Sequence, residues 1–138
     1  MYEFIEGEII EKSPAQLVIK AGQIAYLLNI TVNTYSKIGD QADGKFYLHH
    51  VQREDAQLLY GFADKEEREL FRMLITVSGV GANTARLILS SMTPSEIRNA
   101  ILSGNVVALQ NIKGIGAKSA QRIIIDLRDK VGKASETD

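Results

Sequence analysis

Apolar and polar residues alternate along the first part of the chain, as they do in strands whose two faces meet different surroundings. The clearest alternation covers residues 24–32, where Ile, Tyr, Leu, Ile and Val occupy every second position. Shorter stretches of the same character lie at residues 4–10, 17–19, 45–51 and 57–60. Five short strands within residues 1–62 predict a mainly β domain that closes into a small antiparallel barrel. Residues 35–40 are expected to connect two strands and can include a helical turn.

After residue 62 the apolar residues recur at every third or fourth position, which is the period of an amphipathic helix. Asp64 and Glu67 have the spacing of a capping box and predict the start of the first helix. The motif Thr93-Pro94-Ser95-Glu96 predicts another start, because threonine caps the helix, proline suits its first position and glutamate reaches back. Gly104 is expected to end that helix, and Asn105 to cap a short one after it. The predicted organisation is a β domain at 1–62, an all-α domain at 63–132 and the start of a flexible linker at 133–138.

Two glycine-rich phrases in the helical part repeat each other 35 residues apart. Residues 78–85 read Ser-Gly-Val-Gly-Ala-Asn-Thr-Ala, and residues 113–120 read Lys-Gly-Ile-Gly-Ala-Lys-Ser-Ala. Each phrase follows an apolar helical stretch and opens another helix, which predicts two helix-hairpin-helix units with a first hairpin at 78–81 and a second hairpin at 113–116. A dinucleotide site or a P-loop does not fit, because neither phrase follows a strand pattern and no Gly-Lys-Ser/Thr follows the glycines. Helix pairs that serve only packing remain an alternative.

The hairpins have the chemistry of phosphate-binding sites. Their glycines permit positive φ angles and carry no Cβ atoms, and the helix that follows begins with unpaired N–H groups at the positive end of its dipole. A phosphate can be bound there by the backbone alone, independently of the DNA sequence. We expect the second hairpin to bind more tightly, because Lys118 stands where the first has Asn83. The predicted phosphate-binding residues are Gly79, Gly81, Asn83, Thr84 and Arg86 in the first unit and Gly114, Gly116, Lys118, Ser119 and Arg122 in the second.

The charge of the chain is distributed unevenly. Residues 1–62 contain 5 Lys and Arg against 8 Asp and Glu, whereas residues 63–138 contain 11 against 9. The basic excess lies in the part with the hairpins, as phosphate binding requires, although solvated helix faces would give the same balance. No stretch approaches the roughly 20 apolar residues that a membrane span needs. The chain has no cysteine, which is typical of a reducing compartment, and we expect a cytoplasmic protein.

A charged segment, Gln-Arg-Glu-Asp-Ala at residues 52–56, separates the last two predicted strands. Hairpin tips are commonly polar simply because they are exposed. The adjacent carboxylates of Glu54 and Asp55, here called the acidic tip, would also repel DNA phosphates by about 1 to 4 kcal/mol per close charge pair. Where DNA strands separate, such a tip would oppose an intact duplex and guide the strands outward.

The histidines and the local residue spacing give no sign of a catalytic or metal site. His49 and His50 are neighbours on a predicted strand, so their side chains point to opposite faces and cannot share a metal ion. They have no cysteine or carboxylate–histidine cluster beside them, and no local Ser/His/Asp arrangement occurs. The sequence therefore predicts no catalytic residue, no metal site and no cofactor.

Taken together, these features make the chain similar to the RuvA family of bacterial proteins, which bind Holliday junctions. The resemblance rests on the stretch Arg-Glu-Asp-Ala-Gln-Leu-Leu-Tyr-Gly-Phe at residues 53–62, on the two hairpins, and on their order after an N-terminal β domain. It covers essentially the whole chain. The 53–62 stretch is highly specific, whereas helix-hairpin-helix phrases occur in many DNA-binding proteins.

The resemblance implies an oligonucleotide-binding-type (OB) barrel followed by two helix-hairpin-helix motifs. It implies a fourfold-symmetric homotetramer that holds an open four-way junction, with Glu54 and Asp55 as an acidic pin at its centre. It further implies a role in recombination, in repair of DNA damage and in the SOS response, with RuvB as the branch-migration motor and RuvC as the resolvase. The family recruits RuvB through a third domain beyond a linker. This chain ends where that linker would begin, so we expect the first two domains or a shortened version, and coupling to RuvB stays open.

Two other function classes are compatible with the hairpins. A helix-hairpin-helix DNA glycosylase or lyase could use Lys118 as a Schiff-base lysine, but it would also need a pocket for a flipped base and a well-placed aspartate. A protein-binding adaptor could use the hairpins as contact surfaces. The favoured prediction is a DNA-binding protein that selects the shape of its target and catalyses no reaction.

Overall fold

The computed structural model describes residues 1–137 and the side chains of residues 1–133. The chain divides into two compact units, Met1–Glu69 and a second that begins at Leu70. The first unit holds strands β1 (Phe4–Lys12), β2 (Gln16–Ala21), β3 (Ile24–Asn29), β4 (Asp43–Gln52) and β5 (Gln57–Phe62), with helix α1 (Val32–Ile38) between β3 and β4. Helix α2 (Lys65–Ile75) crosses the boundary and is followed by α3 (Ala82–Ser91), α4 (Pro94–Ser103), α5 (Val106–Gln110) and α6 (Ala117–Thr137).

The strands close into a barrel in the order β1-β2-β3-β5-β4. Neighbouring strands run antiparallel except β3 and β5, which are parallel and pair at Asn29 and Tyr60. Alternate residues of a strand point to opposite faces, so one face of each strand fills the interior. The predicted small OB-like barrel is confirmed. Its core contains Leu17, Ile19, Leu28, Ile30, Ile38, Phe46 and Leu48.

The prediction of a strand through residue 32 is wrong at its end. β3 stops at Asn29, and α1 already begins at Val32 and covers most of the expected connection at residues 35–40, where a helical turn was allowed. Thr31 begins this helix, because its hydroxyl accepts a hydrogen bond from the amide of Thr34 at 3.0 Å. A run of β-branched residues suits a strand, and here the cap outweighs that preference.

Within the second unit, α4 begins and ends as the sequence predicts. The Thr93 hydroxyl accepts a hydrogen bond from the Glu96 amide at 3.2 Å, and the Glu96 carboxylate accepts one from the Thr93 amide at 3.0 Å. Gly104 ends the helix in the left-handed conformation, with φ of 70°. The Asn105 side chain then caps α5 by accepting from the Ala108 amide at 3.1 Å. Fully buried side chains of this unit include Phe71, Leu74, Ile88, Leu89, Ile97, Ile101, Leu109, Ile123 and Leu127.

The unit boundary and the end of α6 differ from the predicted domain limits. The boundary lies inside α2, after Glu69, instead of after residue 62. Helix α6 continues to Thr137, so residues 133–137 are helical where the start of a linker was expected. The stretch after Gly132 contains lysine, alanine and glutamate, which favour helix, and no proline that would end it. Asp138 lies outside the described residues.

Glu67 is a buried carboxylate that links α2 to α1 within the first unit. It accepts hydrogen bonds from the hydroxyls of Thr31 at 2.9 Å and Thr34 at 2.6 Å. Burial raises the pKa of Glu67, although the two hydroxyl bonds act in the opposite direction. Asp64 instead forms an ion pair with Lys37. Both members of the expected capping box are therefore engaged in tertiary contacts.

Arg68 is almost fully buried beside Glu67, a feature that the sequence analysis did not anticipate. Its guanidinium donates to the Glu3 carboxylate at 2.6 Å and to the Glu3 carbonyl at 2.8 Å. It also lies 5.5 Å from the centre of the Tyr47 ring. These contacts compensate the charge and explain why the first turn of α2 belongs to the barrel unit.

Candidate nucleic-acid interface

The first hairpin joins α2 to α3 through a tight turn. The Val80 amide donates to the Val77 carbonyl at 3.0 Å, and Gly79 adopts a positive φ of 88°. Gly81 is extended, with φ of −86° and ψ of 175°, and is the N-cap of α3 without a side chain to cap its amides. The first amide groups of α3 are thus left for an external acceptor or water.

The second hairpin repeats this geometry between α5 and α6. The Ile115 amide donates to the Ile112 carbonyl at 3.0 Å, and Gly114 has a positive φ of 92°. Helix α6 opens with the Ala120 amide donating to the Gly116 carbonyl at 3.0 Å, as the Ala85 amide donates to Gly81 at 2.9 Å in the first unit. The two phrases of sequence therefore correspond to two similar backbone structures.

The glycines of both hairpins face open space, because a Cβ atom built on any of the four would meet no atom within 4 Å. The apolar residue between each pair is buried instead: Val80 is 5% exposed and Ile115 is 7% exposed. Each hairpin thus buries its central apolar side chain while its glycine backbone stays open. The sequence analysis did not predict that Val80 and Ile115 would be buried, although an apolar residue between two glycines in both copies indicates it.

The predicted polar residues lie on the first turns of α3 and α6. On α3, Asn83 is exposed, Thr84 is partly buried, and Arg86 donates from Nη2 to the Asn83 side-chain oxygen at 2.9 Å. On α6, Lys118 and Arg122 are exposed and Ser119 is partly buried. Lys118, Gln121, Arg122, Ile125 and Asp126 line a shallow groove along α6. Each unit thus brings its candidate residues to one helix N-terminus.

The acidic tip lies at the end of the β4–β5 hairpin in the first unit. Gln52 pairs with Gln57, and the Arg53 amide donates to the Ala56 carbonyl at 2.8 Å, which closes the turn. Glu54 and Asp55 are both exposed at this turn. The structure thus presents the two carboxylates side by side on a short, hydrogen-bonded support.

One of the two histidines, His50, packs against an aromatic ring. The His50 ring lies edge-on to the Tyr2 ring at 6.0 Å between centroids. Among residues 1–137, no three His, Cys, Asp or Glu side chains come close enough together to hold a metal ion. None of the helices in this part of the chain combines the length and the apolar character that crossing a bilayer demands.

Comparison with known proteins finds a matching family for each of the two units. Residues 1–61 match the family described as RuvA N terminal domain, and residues 71–129 match the one described as SAM-like Helix-hairpin-helix tandem. The Holliday junction branch migration complex subunit RuvA of Flavobacterium psychrophilum is 48% identical over 138 residues, which cover 100% of this chain and 72% of that protein. The chain belongs to the RuvA family.

Other RuvA subunits of the same description are at least as similar. The protein from Parabacteroides distasonis is 56% identical over 131 residues, covering 95% of this chain and 67% of its own length. The protein from Bacteroides fragilis is 53% identical over 131 residues, again 95% of this chain. This chain spans 65% of the length of the Bacteroides fragilis RuvA. The family prediction made from residues 53–62 and the two hairpins is confirmed.

Proposed function

We propose that this chain binds four-way (Holliday) DNA junctions in a branch migration complex, selects them by shape, and catalyses no reaction itself. The observation that carries the proposal is the pair of open glycine hairpins of equal backbone geometry, 35 residues apart, in a member of the RuvA family. Each hairpin offers the free amides of a helix N-terminus to a phosphate. The selected partner is the sugar-phosphate backbone, so binding does not depend on base sequence.

The phosphate sites combine backbone and side-chain donors. The amides behind Gly81 and Gly116 point out of α3 and α6, where the aligned peptide dipoles favour an anion. Lys118 and Arg122 add positive charge at the second site. A single subunit that touches only a few phosphates gains weak, salt-sensitive affinity, because the salt slope is about −0.9 per phosphate neutralised.

A fourfold-symmetric homotetramer would convert these weak contacts into selectivity. Four copies present their hairpins together, and a substrate with four arms can engage all of them at once. A linear duplex cannot do so, and multivalent binding raises affinity by about 10² or more. Symmetry also brings four acidic tips together, and the carboxylates of Glu54 and Asp55 would repel phosphates and keep the junction centre open.

Within such a complex, the motor and the resolvase are separate proteins. RuvB would drive branch migration of the junction held open by the tetramer, and RuvC would cleave it, during recombination and repair of DNA damage in the cytoplasm. The relatives are named subunits of a Holliday junction branch migration complex, which supports a role for this chain as one part of a larger assembly.

Gel-shift titrations test the proposal directly. The chain is titrated onto a four-way junction and onto linear duplexes composed of the same sequences, at equal salt. We expect the junction to bind at least about tenfold more tightly, since only it can engage several subunits. Permuting the arm sequences should leave the affinity unchanged, because no base is read. Equal affinity for junction and duplex would refute the proposal.

A further inference from the structure

The two helix-hairpin-helix units carry their positive charges at different positions. The 35-residue register pairs Asn83 with Lys118 and Arg86 with Gln121. The second unit therefore has a cation at the second residue of its helix, whereas the first has an uncharged amide there and a cation three residues later. Because the backbones of the two hairpins are alike, the first unit lacks a charge at the place where the second has one.

A hydrogen bond within α3 compensates for this difference. Residues three apart lie on the same face of a helix, and long side chains lean toward the helix N-terminus. Arg86 follows this direction and donates from Nη2 to the Asn83 side-chain oxygen at 2.9 Å. Asn83 is exposed on the first turn, next to the open backbone of Gly81. The guanidinium is thereby held over the same end of α3 that corresponds to the Lys118 end of α6.

We infer that Asn83 is a positioning residue, which holds the Arg86 guanidinium at the phosphate site of the first hairpin in the place that Lys118 occupies at the second. The inference rests on the proposed function and refines it, since it assigns each hairpin its own cation. A guanidinium presents a planar fork of N–H donors, whereas an ammonium acts as a mobile point charge. The first hairpin would therefore present one oriented guanidinium to the phosphate, whereas the second adds the mobile Lys118 ammonium to Arg122, which lies one turn further along α6.

A mutant cycle separates positioning from direct contact. Asn83→Ala and Arg86→Gln should each weaken junction binding, by about 3- to 10-fold, because a charge-assisted contact is displaced or lost. In the Arg86→Gln background, Asn83→Ala should cause no further loss, since Asn83 acts through Arg86. Asn83→Lys combined with Arg86→Gln copies the second unit and should restore affinity to near the wild-type value.

The controls keep the inference falsifiable. Asn99→Ala removes an exposed amide from α4 of the same unit and should leave binding unchanged. Thermal melting of every variant, followed by circular dichroism, checks that the helices are intact. Equal losses from Asn83→Ala in both backgrounds, wild-type binding by both single variants, or no rescue by the lysine variant would each overturn the inference. If the wild-type chain binds junction and duplex with equal affinity, the proposed junction selectivity is refuted. The positioning role of Asn83 can still be tested then, because the same mutant cycle can be measured on duplex DNA.

Discussion

Gly114 and Gly116 lie two residues apart in the second hairpin, but the backbone places different demands on them. Gly114 has a φ of 92°, a conformation that is unfavourable for any residue with a Cβ atom. Gly116 does not have a positive φ, and the space around both glycines is open. Only the first glycine is therefore required by the turn itself. The second is required only if a partner approaches the backbone closely.

Alanine at these two positions separates folding from DNA contact. Gly114→Ala should lower the free energy of unfolding by about 1 to 2 kcal/mol, because alanine must adopt the left-handed conformation. Gly116→Ala should leave stability nearly unchanged but weaken junction binding, since its Cβ atom would occupy the place of the proposed phosphate. Chemical denaturation followed by helical circular dichroism and gel shifts measure the two effects. Wild-type junction affinity of Gly116→Ala would contradict the proposed approach of DNA to this hairpin.

At the scale of elements, the first unit depends on one buried carboxylate between two helices. Glu67 on α2 accepts from Thr31 and Thr34, and Thr31 also caps α1. Burial raises the pKa of Glu67 above its usual 4.5 in the folded chain. The folded state therefore binds the proton more tightly than the unfolded chain does. This contribution to stability is fully present below the unfolded pKa and is lost as the pH rises through the folded pKa.

Replacing this carboxylate by an amide should remove that pH dependence. Glu67→Gln stays neutral, so its stability relative to the wild type should improve as the pH is raised from below 4.5 through the elevated pKa. Urea unfolding followed by tyrosine fluorescence reports on this unit, because all 5 tyrosines lie between Met1 and Glu69. Glu66→Gln, exposed on the same helix, controls for the loss of one carboxylate. A Glu67→Gln difference that is constant with pH would show that burial does not perturb Glu67.

For the whole molecule, the proposed function combines attraction and repulsion carried by different units. The hairpins would attract phosphates through amides and cations, while Glu54 and Asp55 are exposed at the turn between β4 and β5 and would repel them. In a symmetric tetramer on a junction, this repulsion would act only where strands leave their duplexes. Selectivity would then come partly from a penalty against the wrong DNA shape.

Removing the acidic tip should reduce selectivity by changing the binding of duplex DNA. We expect the double variant Glu54→Ala with Asp55→Ala to bind linear duplex more tightly, because about 1 to 4 kcal/mol of repulsion per close charge pair is relieved. Junction affinity should change less, so the ratio of the two affinities falls. Gel shifts at low and moderate salt measure both affinities. The charge-matched control is the double variant Glu8→Ala with Glu11→Ala, which removes two exposed carboxylates from β1. Unchanged duplex affinity would exclude the repulsive role.

The sequence by itself determined the five strands and the helical character of the second unit, because a period of two and a period of three to four differ clearly over such stretches. It did not predict α1, where β-branched residues continue the strand pattern. It also determined the two hairpins, the cap of α4 and the family, since these depend on residues adjacent along the chain. The locations of Gly79, Gly114 and the acidic tip in turns could be predicted for the same reason.

Tertiary structure alone decided what depends on residues far apart in the chain. The parallel pairing of β3 with β5 and the burial of Glu67 and Arg68 depend on partners such as Thr31, Thr34 and Glu3, more than 30 positions away. These contacts moved the unit boundary into α2 and redirected Asp64 from a helix cap to Lys37. No local pattern contains that information, because burial and charge pairing are properties of the packed chain.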